Sequence, residues 1–307
     1  MRLLLALLAV LLVGCGDASS EGADDSSSPS ETTTVSPTSI TTETRTSTTI
    51  AATTTSAART TTTSMVTDLP LVVSSSGLLG YHDGTDWVPG EAIFEVEGGE
   101  EYQVVDLSGV RGTAIGSSLE ICEPSQTPII ALDPPLPVGH NEPGAVAIAG
   151  ATWNLLPRPV LRDGPPPPDF VEGAIAFIAD RGLSDPDPAV AQYLTFDLEG
   201  DGVEEELLVV RRIPDDLFGN PESYSLVMMR KTLDSEPAIL VIEFSQGAPD
   251  SAYVVFHVVT AVVDLNGDDK MEMVVDAHYY EGSGTTAWEY VDDDLGTVAA
   301  LSAGCGA

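Results

Sequence analysis

Positive charge is what this chain has least of. Its 307 residues hold 12 Lys and Arg against 48 Asp and Glu, for a formal charge of −36. The basic residues are nowhere clustered, so the phosphate neutralisation that DNA or RNA binding requires has no source. So acidic a surface is soluble and repels anionic membranes, and its self-repulsion makes bound cations stabilising. Histidine is scarce as well. His82, His140, His257 and His278 form no HExxH or other ligand spacing, and His257, inside "VVFHVVTAVV", reads as a core residue. No G-x-S-x-G, Walker or Rossmann glycine pattern occurs. A catalytic carboxylate pair remains open among so many acids. No apolar run beyond the first fifteen residues is long enough to span a bilayer.

That first run is informative. "MRLLLALLAVLLVGCG" places Arg2 before an unbroken apolar stretch, Leu3–Val13, too short for a comfortable membrane span. It reads as a signal peptide covering residues 1–15. Leu12-Val13-Gly14-Cys15 resembles the bacterial lipobox, in which the cysteine thiol is diacylated and becomes the new N-terminus. The mature protein is therefore expected outside the cytoplasm, anchored to the membrane by lipid on Cys15. Two cysteines remain, Cys122 and Cys305. An even pair in an oxidising compartment predicts a disulfide, worth roughly 3–5 kcal/mol by loop entropy.

Residues 16–67 are more than half Ser or Thr and show no hydrophobic period. Such a tract buries too little apolar surface to offset the entropy of ordering, so a disordered stalk is expected. It would span roughly 40 Å as a coil and roughly 170 Å stretched. It is an O-glycosylation candidate or a bare linker.

From about residue 68 to 160, short apolar or alternating runs separated by Gly and Pro predict a β-rich domain, with "HDGTDW" as a hairpin turn. The proline run in "LPRPVLRDGPPPPDF" marks its end. One helix follows in "DFVEGAIAFIADRGL", with Val171, Ile175, Ile178 and Ala179 on one face. Residues 170–307 then show eight strand-like runs, the fifth apolar on both faces and expected to be a central, fully covered strand. The fold class is mostly β: a Ser/Thr-rich stalk, a β-rich unit, and a C-terminal pair of four-stranded antiparallel units with one helix.

Within that pair a loop is repeated. "DLEGDGVEE" begins at Asp197 and "DLNGDDKME" at Asp264, an offset of 264 − 197 = 67 residues. Both carry Asp-Leu-X-Gly-Asp and then Glu at position nine. Oxygens at positions one, three, five and nine come from Asp197, Glu199, Asp201 and Glu205 in the first loop. In the second they come from Asp264, Asn266, Asp268 and Glu272. Carbonyls of Val203 and Lys270 stand at position seven. Such a set of hard oxygens suits Ca2+ better than magnesium or zinc. An EF-hand does not fit, because position twelve is Leu208 or Val275 inside a strand run rather than a bidentate Glu. Acidic hairpin loops without a metal are the plainer alternative, and the duplication favours the cation loop.

These loops resemble the calcium loops of FG-GAP and VCBS-type repeats, found in integrin α-subunits and many bacterial surface proteins. The resemblance implies that each loop joins the first two strands of a four-stranded unit and that calcium is structural. The chain departs from the pattern in lacking an FG…GAP element, in the longer Glu199, and in Asp269, which stands where a second glycine supplies positive φ.

"HYYEGSGTTAWEY" is the candidate ligand patch. A turn at Gly282-Ser283-Gly284 would bring Tyr279 and Tyr280 near Trp288 and Tyr290, either to stack on a sugar or peptide or simply to pair across the hairpin. The functional expectation is a lipid-anchored, calcium-binding module that binds or scaffolds at the cell surface, with a glycan or protein ligand and no nucleic acid. The alternative is an envelope polysaccharide or cell-wall hydrolase with an unidentified carboxylate pair.

Overall fold

The structure is a computed structural model that describes residues 69–306, apart from 138–142, 163, 184–187, 214–219, 234–235, 248–253 and 292–295. The signal peptide, Cys15, the 16–67 stalk and His140 lie outside the described residues.

Among the described residues nine strands precede the helix: β1 (Val72–Ser74), β2 (Gly77–His82), β3 (Trp87–Pro89), β4 (Glu101–Asp106), β5 (Gly109–Gly116), β6 (Glu120–Cys122), β7 (Thr127–Ile129), β8 (Leu132–Asp133) and β9 (Val146–Ala149). Seven of them form one antiparallel sheet in the order β3-β2-β1-β9-β4-β5-β8, while β6 and β7 pair separately. The β2–β3 turn is the expected one. Gly84 has φ +96°, and Asp83 Oδ1 accepts the N–H groups of Thr85 and Asp86 at 2.8 and 2.9 Å.

After helix α1 (Pro168–Asp180) come β10 (Ala189–Phe196), β11 (Glu205–Arg212), β12 (Tyr224–Leu233) and β13 (Glu236–Gln246). They form a four-stranded antiparallel meander. A second meander follows: β14 (Phe256–Val263), β15 (Glu272–Tyr279), β16 (Gly282–Val291) and β17 (Gly296–Gly306). The mostly-β fold, the single α-helix among the described residues and the pair of four-stranded units agree with the sequence reading.

The sheets stack through their side chains, because strand residues alternate between faces. Leu207 and Val209 of β11 meet Val259, Val262, Met273 and Val275 of the second meander. Leu208 and Val210 point the other way, towards Phe170, Ala174 and Ile178 of α1. The opposite face of the second meander, with Ala261, Val263, Val274 and Leu301, meets Val72, Leu79, Val105 and Val146 of the seven-stranded sheet. The second meander is thus covered on both sides.

Two expectations need correction. The buried helix face is Phe170, Ala174 and Ile178, while Ala179 is exposed. The apolar stripe is wide, and the bulk of Phe170 centres the contact. The fifth strand, β14, is buried along its whole length but lies at the edge of its meander rather than in the centre. Side chains satisfy its open edge instead of a neighbouring strand. The Gln192 amide donates to the Val259 carbonyl and accepts its N–H, each at 2.8 Å, and Ser225 Oγ accepts the N–H of His257 at 2.9 Å. No helix among the described residues is long and apolar enough to cross a membrane.

Candidate metal centre and the paired loops

Both acidic loops fold alike, for the same local reason. Asp197 Oδ1 accepts the N–H groups of Gly200 (2.8 Å) and Asp201 (3.2 Å), and Oδ2 accepts that of Gly202 (3.1 Å). Asp264 does the same for Gly267 (2.6 Å) and Asp269 (3.0 Å). At position nine, Glu205 and Glu272 each accept the N–H of the second loop residue, Leu198 or Leu265, at 2.7 Å. Positive φ falls at Gly200, Gly202, Gly267 and also at Asp269, at +70°. The sequence placed Asp269 where glycine is wanted, and there it adopts glycine's conformation.

The segment before the helix holds the two loops side by side. Arg158 Nε donates to the Asp197 carbonyl at 2.5 Å, and Nη2 donates to the carbonyls of Leu198 (3.0 Å) and Asp269 (2.6 Å). Met271 N–H donates to the Leu198 carbonyl at 3.0 Å, a direct link between the loops. Trp153 donates from Nε1 to the Asp264 carbonyl at 3.0 Å and lies so close to Gly267 that a Cβ there would stand 3.0 Å from its ring. Gly200 faces Arg158 in the same way, at 2.8 Å. The expected carbonyl ligands, those of Val203 and Lys270, are not the ones Arg158 takes.

The loops differ in the charge beside position nine. In the first meander Glu206 pairs with Arg230, so the next residues of β11 and β12 are Glu205 and Lys231. Lys231 Nζ bonds both Glu199 and Glu205 Oε1, the latter at 2.9 Å, and is 5% exposed beside a fully buried Glu205. Burial opposes its charge, but the bonds to the two carboxylates prevail and raise its pKa. A divalent ion does not fit here, because an ammonium already holds the groups at positions three and nine.

In the second meander Met273 pairs with Trp288, so the residue beside Glu272 is Glu289. Glu289 accepts a hydrogen bond from Trp87 Nε1 at 2.9 Å. Glu272 is 1% exposed, and burial pushes its pKa well above the usual carboxylate range against the Leu265 N–H bond; Asp268, Asp264 and Glu289 add to the rise. Burial raises Asp264 too, against the hydrogen bonds of its own loop. By donor chemistry, hard oxygens with negative charge in excess, this loop suits a calcium ion. Among the described residues no group of three or more His, Cys, Asp or Glu side chains stands already poised around a metal position.

The aromatic patch is not assembled. The β15–β16 hairpin reverses at Tyr280-Glu281, with Tyr279 opposite Gly282, so Gly282, Ser283 and Gly284 lie in the strand rather than in the turn. Trp288 sits opposite Met273, roughly 20 Å along the hairpin from Tyr279 at the usual strand rise. Trp288 and Tyr290 pack in the core between the meanders, while Tyr280 is exposed.

Two other arrangements bear on catalysis. Ser225, His257 and Glu243 form a line, with His257 Nδ1 3.3 Å from Ser225 Oγ and Nε2 3.8 Å from Glu243 Oε2. Ser225 has no exposure, so no substrate reaches it, and its hydroxyl serves the edge of β14. A cavity of about 420 Å³ is lined by Arg162, Pro165, Gln192, Tyr193 and Arg211 among others, with no carboxylate among the described lining residues. Cys122 and Cys305 pair as expected, with Cα atoms 6.0 Å apart across 183 residues of sequence. The bridge joins the β6–β7 hairpin to the end of β17, where Thr127 Oγ1 also bonds the Gly304 carbonyl.

No protein family, curated protein or solved structure matches the chain.

Proposed function

We propose that the chain is a lipid-anchored, extracytoplasmic β-protein that binds or scaffolds at the cell surface, with a calcium ion structural at the second acidic loop. One observation carries the calcium reading. Glu272 and Asp264 are both buried in this loop, and Glu272 is repelled by Asp264, by the exposed Asp268 and by the half-buried Glu289, with only the Leu265 N–H bond acting against that repulsion. Burying two like charges together, with two more nearby, is costly unless a cation or a proton joins them. Asp264, Asn266, Asp268 and Glu272 would hold the ion, supplying a hard positive charge that fixes the loop between β14 and β15.

The site is built for holding rather than for chemistry: position one caps the loop and position nine ties it back to the strand. The loop touches Trp153 and Arg158, and Glu289 touches Trp87, so an ion here would tie the second meander to its neighbours. The surface anchor rests on Leu12-Val13-Gly14-Cys15, and the Cys122–Cys305 bridge is in keeping with an oxidising compartment. The proposed partner is a glycan or protein at the envelope; the acidic surface argues against nucleic acid.

Calorimetric titration with calcium tests the site. The expected result is one ion per chain, with a Kd of about 10⁻⁴–10⁻³ M as in extracellular calcium modules, abolished in D268N. Absence of binding to the wild-type chain contradicts the calcium reading. Labelled fatty acid should enter the protein through Cys15 and not enter a C15A variant; equal labelling of the two contradicts the anchor.

A further inference from the structure

We infer that the first acidic loop carries its own cation: the Lys231 ammonium, tethered to β12, occupies the seat that a metal ion would take, so the two loops differ in being internally and externally compensated. The inference rests on reading the twin loops as cation loops, but it concerns the first loop alone.

The repeated geometry makes the comparison internal to one chain. Position one caps the loop turn in both, and position nine accepts the same N–H in both. Arg158 binds carbonyls of both. With backbone and capping held constant, the change lies in the cross-strand neighbour of position nine: Lys231 beside Glu205 and Glu289 beside Glu272. The remaining differences accord with this. Position three is Glu199 in the first loop, and its carboxylate reaches the Lys231 ammonium. Position three of the second loop is Asn266, whose Oδ1 accepts the Asp268 N–H at 3.0 Å.

An ammonium is a compact point charge with three donors. Two of these are directed at Glu199 and Glu205, and the Tyr290 ring lies 4.7 Å from Nζ. A divalent ion drawing on the same two carboxylates would have to sit against a buried like charge, which is repulsive at any interior dielectric. The first loop is therefore closed to metal and independent of its supply. Its stability comes from an ion that cannot dissociate or be chelated, and the full chain should respond to calcium at a single loop.

The test compares full chains that differ only at position 231, in a D268N background that silences the second loop. K231Q removes the ammonium and K231R retains a cation. In chelator, D268N/K231Q should melt about 10 °C below D268N, as expected for uncovering a buried charge, and excess calcium should restore part of that loss. D268N and D268N/K231R should melt alike with calcium and with chelator. Terbium luminescence excited through Tyr290 should appear on adding the metal to D268N/K231Q and be absent from D268N. The inference is overturned if removing the ammonium leaves the melt in chelator unchanged. It is equally overturned if D268N and D268N/K231Q respond identically to calcium and terbium. Failure of the second-loop reading would show elsewhere, as a wild-type chain no more responsive to calcium than D268N.

Discussion

The Arg158 guanidinium and the Asp269 main chain are joined by a 2.6 Å hydrogen bond, Nη2 donating to the carbonyl. The same side chain donates to Asp197 and Leu198, residues of the other loop. A single arginine, with 15% of its side chain exposed, therefore fastens two segments 67 residues apart in sequence. A charged donor bonding three carbonyls contributes more than a neutral one, so R158A should cost about 2–3 kcal/mol. Lysine lacks the planar fork and should recover less than half of that. Urea midpoints of the three proteins check this; a loss under about 1 kcal/mol in R158A contradicts a clamping role.

Asp269 and Gly267 make opposite predictions from one cause. Asp269 holds φ +70°, which a side chain disfavours, so D269G should be neutral or stabilising by up to about 1 kcal/mol. Gly267 has φ +80° and the Trp153 ring against it. G267A should cost about 1–2 kcal/mol and alter Trp153 fluorescence. Denaturant melts and emission spectra give both results.

The Cys122–Cys305 bridge closes most of the described chain into one loop. The C122A/C305A variant should lose about 2–5 kcal/mol of stability. In the wild-type protein, two thiols should accept an alkylating label only after reduction, provided Cys15 is blocked or replaced.

His257 sets a pH dependence of known sign. Burial, reinforced by His278, lowers its pKa from 6.5 to about 4. Between those values the unfolded chain takes up a proton that the folded chain refuses. Its contribution is therefore complete above pH 6.5 and shrinks as pH falls towards 4, by about 3 kcal/mol in all. Asp276 works the other way. It accepts hydroxyl hydrogen bonds from Thr260 and Thr285, at 2.6 and 2.7 Å, yet burial raises its pKa, so acid relieves its cost. H257Q should flatten the loss of stability between pH 6.5 and 4, and D276N should remove the opposing gain. Parallel melts across that range in the wild type and H257Q contradict the assignment.

The sequence already revealed several of these parts. Asp197 and Asp264 located the loops, the strand runs around them gave both meanders, and cysteine parity gave the bridge. Asp269 was legible because a repeat shows where glycine is expected. What escaped is tertiary. Arg158 and Trp153 come from a proline-rich stretch that looks like a boundary and acts as a clasp. Lys231 and Glu289 escaped for a geometric reason. The constant offset maps Lys231 onto 231 + 67 = 298, which is Val298. The β15–β16 turn is much shorter than the β11–β12 connection, so Lys231 corresponds to Glu289 only through strand register. The aromatic hairpin misled in a related way: three small residues suggested a turn, while the chain reverses two residues earlier, at Tyr280-Glu281. Gly282 is needed in the strand, where a Cβ would meet the Cys305 carbonyl and Gly306 at 2.7 Å.

Thermal melting of the wild-type chain, with calcium in excess and with a chelator, tests the central claim most directly. An ion held by the folded state alone stabilises it by RT ln(1 + [L]/Kd), so the melting temperature should rise with calcium concentration and fall on chelation. The rise should vanish in D268N. Superimposable wild-type melts in calcium and in chelator would contradict a structural calcium ion at Asp264–Glu272.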